Sequence, residues 1–191
     1  DIRELLAPGS ARREPEDAEQ RELLAEIGPL LAQAREPIVF LDLHSTSGAG
    51  PPFSCMADVL RNRKVAFALP IPVILGIEEI LEGSILGWLC DLGHVAVAVE
   101  SGQSDDPDTV QRHEAAIWLG LVASGALDPS EVPDLKAHHD RLASAARGLP
   151  PVMEIRHRHL VRASDDFVMA PGFSGFDRVA QGLERGAPHA H

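Results

Sequence analysis

Apolar residues recur at helical spacing across residues 14–35, where Leu23, Leu24, Ile27, Leu30 and Leu31 share one face and Glu and Arg fill the other. The pattern predicts an amphipathic helix, broken or kinked at Gly28-Pro29. Almost at once comes Ile38, Val39, Phe40, Leu41, a continuous apolar run that reads as a buried strand over 37–43. Glycine, serine and proline dominate 45–54, a loop by composition. A helix is expected over 57–69, and Ile71-Pro72-Val73-Ile74-Leu75 reads as a short strand whose prolines suit a strand start or an edge. Helical stretches around 77–82 and 84–92 precede a second β-rich run, His94 to Val99. The aspartates at 105, 106 and 108 then lead into a helix over 109–124, acids at its positive end. A further helix over 133–147 stops before Pro150-Pro151, and Val152 to Val161 alternates as a strand would.

Strands and helices alternate as far as residue 149, and the pattern then changes. The expected fold class is α/β over 1–149, followed over 150–191 by the start of a small β-rich C-terminal domain. No internal repeat is present. With 191 residues and 45% hydrophobic content the chain can bury a real core. No apolar run approaches the ~20 residues of a membrane span, and the opening DIRELLAPGS is no signal peptide, which points to a cytoplasmic protein.

Charge narrows the partners. The formal net charge is -12, from 29 acidic and 17 basic residues, so a phosphate backbone would be repelled and nucleic acid is not expected as a partner. Cys55 and Cys90 lie far apart without CxxC spacing, which argues for reduced, buried thiols rather than a disulfide framework or zinc finger. Oligomeric state is not legible, and a homo-oligomer is left open.

The chemistry concentrates at the ends of the two strongest strands. The first runs into Asp42 and His44, two apart on an extended segment and so on one face. A carboxylate beside an imidazole fixes its tautomer and raises its basicity, which suits a metal-ligating histidine. The Ser45-Thr46-Ser47-Gly48 turn crowds further polar groups there. The second strand delivers Glu100, where partial desolvation would raise its pKa toward the range of a general base. Ser101-Gly102-Gln103 follows, offering a close-approach backbone and an amide. Arg61 and Arg63 would suit a clamp on a substrate carboxylate, although surface arginines on a helix are the commoner case. His138-His139, His157, His159, His189 and His191 lack nearby acid or cysteine partners and read as surface residues. No GxSxG, Walker loop, GxGxxG or HExxH is present.

With those residues in place, the chain resembles the succinylglutamate desuccinylase/aspartoacylase family of zinc hydrolases. DLHSTSG at 42–48 is similar to the family's DLH motif, and VAVESGQ at 97–103 to its strand ending in glutamate, glycine and glutamine. The EDAEQREL helix ahead of the first motif fits, and FVMAPGFSGFD at 167–177 is similar to the lead-in to the family's C-terminal β domain. The resemblance implies a zinc-carboxypeptidase-like mixed sheet with helices on both faces. It implies that His44 is one of three zinc ligands, Asp42 its supporting acid, Glu100 the base that activates water, and Gln103 part of the pocket. The implied reaction is hydrolysis of an N-acyl amide on an acylated amino acid or a similar small polar substrate.

The chain departs from the family at two points. The HxxE motif that supplies the other two ligands is absent, and a catalytic zinc takes three protein ligands. Either those ligands lie upstream of Asp1 or the metal has been lost. The family's DxNR element would fall near Asp1-Ile2-Arg3, which is a residue short and lacks the asparagine, so Arg3 receives no role. A metal-free relative that binds small carboxylates is the alternative reading, and an assembly subunit a weaker third.

Overall fold

The computed structural model describes residues 15–78, 80–81, 83–180 and 186–188. In chain order they form α1 (Pro15–Gln33), β1 (Val39–Thr46), β2 (Phe53–Cys55), α2 (Leu60–Ala66), β3 (Val73–Leu75), α3 (Ile85–Asp91), β4 (Val95–Gln103), α4 (Thr109–Ser124), α5 (Leu135–Ala145), β5 (Val152–Glu154), β6 (Phe167–Met169) and β7 (Gly186–Pro188). Five strands make one mixed sheet in the order β1-β4-β2-β3-β5, and β6 and β7 make a separate antiparallel pair.

β4 is the spine of this sheet. It pairs parallel with β1 on one side and antiparallel with β2 on the other. Its residues alternate between two buried faces, as a strand covered on both sides requires. Ala96 and Ala98 point toward Leu86, Leu89 and Cys90 of α3, with Phe40, Phe53 and Leu31 packed around them. Their small side chains let the helix approach closely. On the opposite face Val99 meets Ala115, Ala116 and Leu119 of α4 and Leu142 of α5, while Val95 and Val97 meet Val65 and Ala66 of α2. Helices therefore cover both faces of a mixed α/β sheet, as expected.

Local chemistry sets the helix ends. Ser84 caps α3 by accepting from the Gly87 N–H at 3.0 Å. Gly125, at φ 89°, closes α4 in a left-handed conformation that suits glycine. No described helix is long and apolar enough to cross a membrane.

Several boundaries differ from the sequence expectation. α1 runs through Gly28-Pro29 without a break, at the cost of the one ladder bond that proline cannot donate. β2 falls in the stretch read as loop; it is only three residues long, and its Ser54 N–H also reaches the Pro72 carbonyl at 2.8 Å. The described residues among 77–83 form turns rather than a helix. β3 lies between β2 and β5, so Pro72 marks a strand start and not an edge. β5 spans only Val152–Glu154 and pairs with β3, so the α/β unit continues past residue 149. Arg3, His189 and His191 lie outside the described residues.

Candidate functional site

The sheet register assembles the site. Asp42 pairs with Ala98 and His44 with Glu100 on the parallel β1–β4 ladder, while Phe53 of β2 pairs with Glu100 from the other side. Neighbouring strands lie about 4.8 Å apart, and register partners point to the same face. Asp42, His44, Glu100 and Phe53 thus share one face at the carboxyl ends of β1 and β4. Asp42 Oδ2 stands 3.0 Å from His44 Nε2, and the histidine is exposed. On the same face Phe53 makes an edge-to-face contact with Phe176, ring centroids 5.4 Å apart, an apolar wall beside the carboxylate.

Glu100 is half-buried, and its Oε2 is buried without a hydrogen-bond partner. Burial raises its pKa above the usual carboxylate value, opposed by His44, reinforced by the negative charge of Asp42 and opposed again by His113. Cys55, on the neighbouring strand, is a neutral thiol pushed up to about 12 by burial and then by the charges of Glu100 and Glu78. Both cysteines are free and buried.

The remaining sequence candidates divide. Gln103 closes β4 opposite Thr46, at the same strand end as Glu100. Arg61 sits at the other end of β4: its Nε donates to the His94 carbonyl at 2.8 Å and its Nη2 to the Cys90 carbonyl. Six residues of strand separate His94 from Glu100, about 20 Å at the usual rise. Arg63 pairs with Asp58 at 2.7 Å. Neither arginine faces the Asp42–His44–Glu100 cluster, because each is held by a nearer acceptor. His139 and His159 are exposed, and His138 lies against Trp118.

Three residues that the sequence reading passed over come to this site from α4. Thr109 Oγ1 donates to the Gln103 carbonyl at 2.7 Å, Arg112 Nη1 to the Ser101 carbonyl at 3.2 Å, and His113 Nε2 lies 2.8 Å from the His44 carbonyl. The visible signal was their spacing, i, i+3 and i+4, which puts them on one helix face.

Set against solved structures, the whole chain superposes on a succinylglutamate desuccinylase/aspartoacylase from Rhodobacter sphaeroides with a TM-score of 0.59 and 19% identity. The fold is that of the succinylglutamate desuccinylase/aspartoacylase family. A product-bound ectoine utilization protein, EutE (DoeB), from Ruegeria pomeroyi matches 90% of the chain with a TM-score of 0.49 and 14% identity. The chain spans about half the length of these two structures, 55% and 47% respectively. No family model and no curated protein matches the sequence.

The zinc implied by the desuccinylase/aspartoacylase fold can be tested against the side chains. No group of three His, Cys, Asp or Glu among the described residues is arranged to hold a metal ion. Since a catalytic zinc takes three protein ligands, the described residues alone do not fit one. What they offer is one exposed imidazole, its carboxylate partner and a desolvated glutamate.

Proposed function

We propose that this chain forms part of a hydrolase that cleaves the N-acyl amide bond of an acylated amino acid or a similar small polar molecule, with Glu100 as general base. The observation that carries the reading is the carboxylate of Glu100: register partner of His44, raised in pKa by burial, with one oxygen buried and unpartnered. A carboxylate of raised pKa is suited to accept a proton from an attacking water. Water oxygen bonds to the acyl carbon, the C–N bond breaks, and Glu100 passes the proton to the departing nitrogen. A carboxylic acid and a free amine result. The edge-to-face pair Phe53–Phe176 limits water around the carboxylate.

Zinc is the cofactor we assign, with His44 as one ligand and Asp42 as its orienting acid; the other two ligands must come from outside the described residues. The partner is a small molecule rather than nucleic acid, in keeping with the net charge of -12, and the cytoplasm is the proposed setting. The alternative, a metal-free relative that binds small carboxylates, would have used Arg61 and Arg63 as its clamp, and both hold other acceptors.

The test is hydrolysis of a panel of N-acetyl and N-succinyl amino acids by the full-length gene product, with metal content measured alongside. Glu100→Gln should abolish turnover at near-normal metal content, and His44→Ala should lower metal content. Equal metal loss in both variants contradicts the separate roles. A full-length sequence without HxxE removes the zinc assignment.

A further inference from the structure

We infer that Arg112, with Thr109 and His113 beside it, is a positioning residue that holds the strand ends bearing Glu100 and His44 in place. The catalytic consequence rests on the hydrolase reading above; the mechanical one does not.

The need for such a brace lies in the backbone. The β1–β4 ladder is regular up to the His44–Glu100 pair and then shifts register between His44 and Thr46. Gly102 adopts φ 111° at the same level. Beyond that point the ladder loses its regular register, Ser104 takes the Thr46 carbonyl, and carbonyls left unpaired away from water are costly. α4 supplies further donors. From the face opposite Asp42, His44 and Glu100, Thr109 takes the Gln103 carbonyl, Arg112 the Ser101 carbonyl, and His113 the carbonyl of His44 itself. Because the His44 carbonyl can only accept, His113 Nε2 carries the proton.

Arg112 is the centre of this arrangement. Its side chain is only 14% exposed, and Nη1 also donates to Asp106 Oδ2 at 2.7 Å while Nη2 lies 3.8 Å from Asp108 Oδ2. Asp106 neutralises the guanidinium and holds Nη1, and Asp108 adds a longer-range attraction at Nη2. A single nitrogen, Nη1, therefore ties the loop after β4 to the residue next to Glu100, from a helix position in the first turns of α4. Thr109, 5% exposed, adds a second, partly buried bond two residues further on.

Arg112 touches no reacting atom in this scheme and acts through the backbone of Ser101. Misplacement of a reacting group by ~1 Å costs on the order of 10²-fold in rate, so loosening the brace should appear in kcat rather than KM.

The experiment uses the full-length gene product and the N-acyl amino acid it hydrolyses best, with amide hydrogen exchange recorded over 44–47 and 100–104. Arg112→Gln should lower kcat by roughly 10- to 100-fold with KM within about threefold, and speed exchange in those two segments but not in β3 or β5. Arg112→Lys, which keeps the cation but loses the planar guanidinium and its reach, should fall between. Thr109→Val, losing a single bond, gives the same pattern more weakly and replaces Arg112→Gln should that variant not fold. Unchanged kcat overturns the inference. So does a lysine variant as poor as the glutamine variant with exchange raised throughout the domain, which marks a purely structural role. Where wild type hydrolyses no N-acyl amino acid, the hydrolase reading fails, and exchange alone decides the brace: faster at both strand ends upholds it, unchanged overturns it.

Discussion

A Cβ added to Gly102 would stand 2.7 Å from Nη1 of Arg112, closer than real side chains approach. The glycine also holds φ 111°, a region L-residues rarely adopt. Alanine here meets two objections at once, backbone strain and a collision with a guanidinium fixed by Ser101 and Asp106. Gly102→Ala should therefore destabilise the protein by about 1–3 kcal/mol in urea unfolding, and lower kcat in the same direction as Arg112→Gln. Wild-type stability in the alanine variant would mean that the turn relaxes freely and that Arg112 is not held.

Glu100 should cost stability at neutral pH. Its pKa in the folded chain is raised above the ordinary 4.5, chiefly by burial. Between that value and the raised one the native state binds more protons than the unfolded chain, so stability falls as pH rises through the window. Glu100→Gln removes the ionisation. The variant should then have the higher Tm at pH 7, with the gap closing as pH drops below 4.5. Calorimetry of both proteins from about pH 4 to about pH 8 measures this. A glutamine variant less stable than wild type at neutral pH would show that the carboxylate is stabilised where it sits.

Arg61 separates a structural role from a substrate clamp. Its guanidinium accounts for two carbonyls, His94 and Cys90, where α3 ends and β4 begins. Arg61→Ala should cost about 1–3 kcal/mol, since it removes two charge-assisted bonds of which one is partly buried, and leave KM unchanged. A tenfold rise in KM at unchanged stability would instead restore the clamp.

How far the sequence reached depends on where each interaction ends. α4 falls at 109–124 as expected, because the aspartates ahead of it mark its start and Gly125 adopts the left-handed conformation that ends it. Asp42, His44 and Glu100 stood out because polar residues interrupt apolar runs at strand ends, and the parallel register then places two of them side by side. β2 did not stand out: three residues between prolines and glycines are too few for a period. Thr109, Arg112 and His113 escaped for another reason. Their acceptors are backbone carbonyls as far as 69 residues away, and a backbone carbonyl leaves no mark in side-chain pattern. The two carbonyls that Arg61 holds are hidden from the sequence on the same ground.

Asn62 is the sharpest example and carries the last prediction. It lies between two exposed arginines, yet it is fully buried. Its Nδ2 donates to the Ala57 carbonyl at 3.0 Å and to Cys90 Sγ at 3.3 Å, and its Oδ1 accepts from the Ala96 N–H at 3.2 Å. One amide thus joins α2, α3 and the start of β4. Asn62→Ala leaves a carbonyl and an N–H buried without these partners, and should cost on the order of 2–4 kcal/mol in urea unfolding. Asn62→Asp keeps the acceptor for Ala96 but loses both donors and buries a charge. It should be worse than alanine at pH 7 and recover toward pH 5, because burial raises the new carboxyl's pKa and protonation restores one donor toward Ala57. Equal stability of the aspartate variant at the two pH values would mean that water reaches the site and that Asn62 is not the sealed junction described.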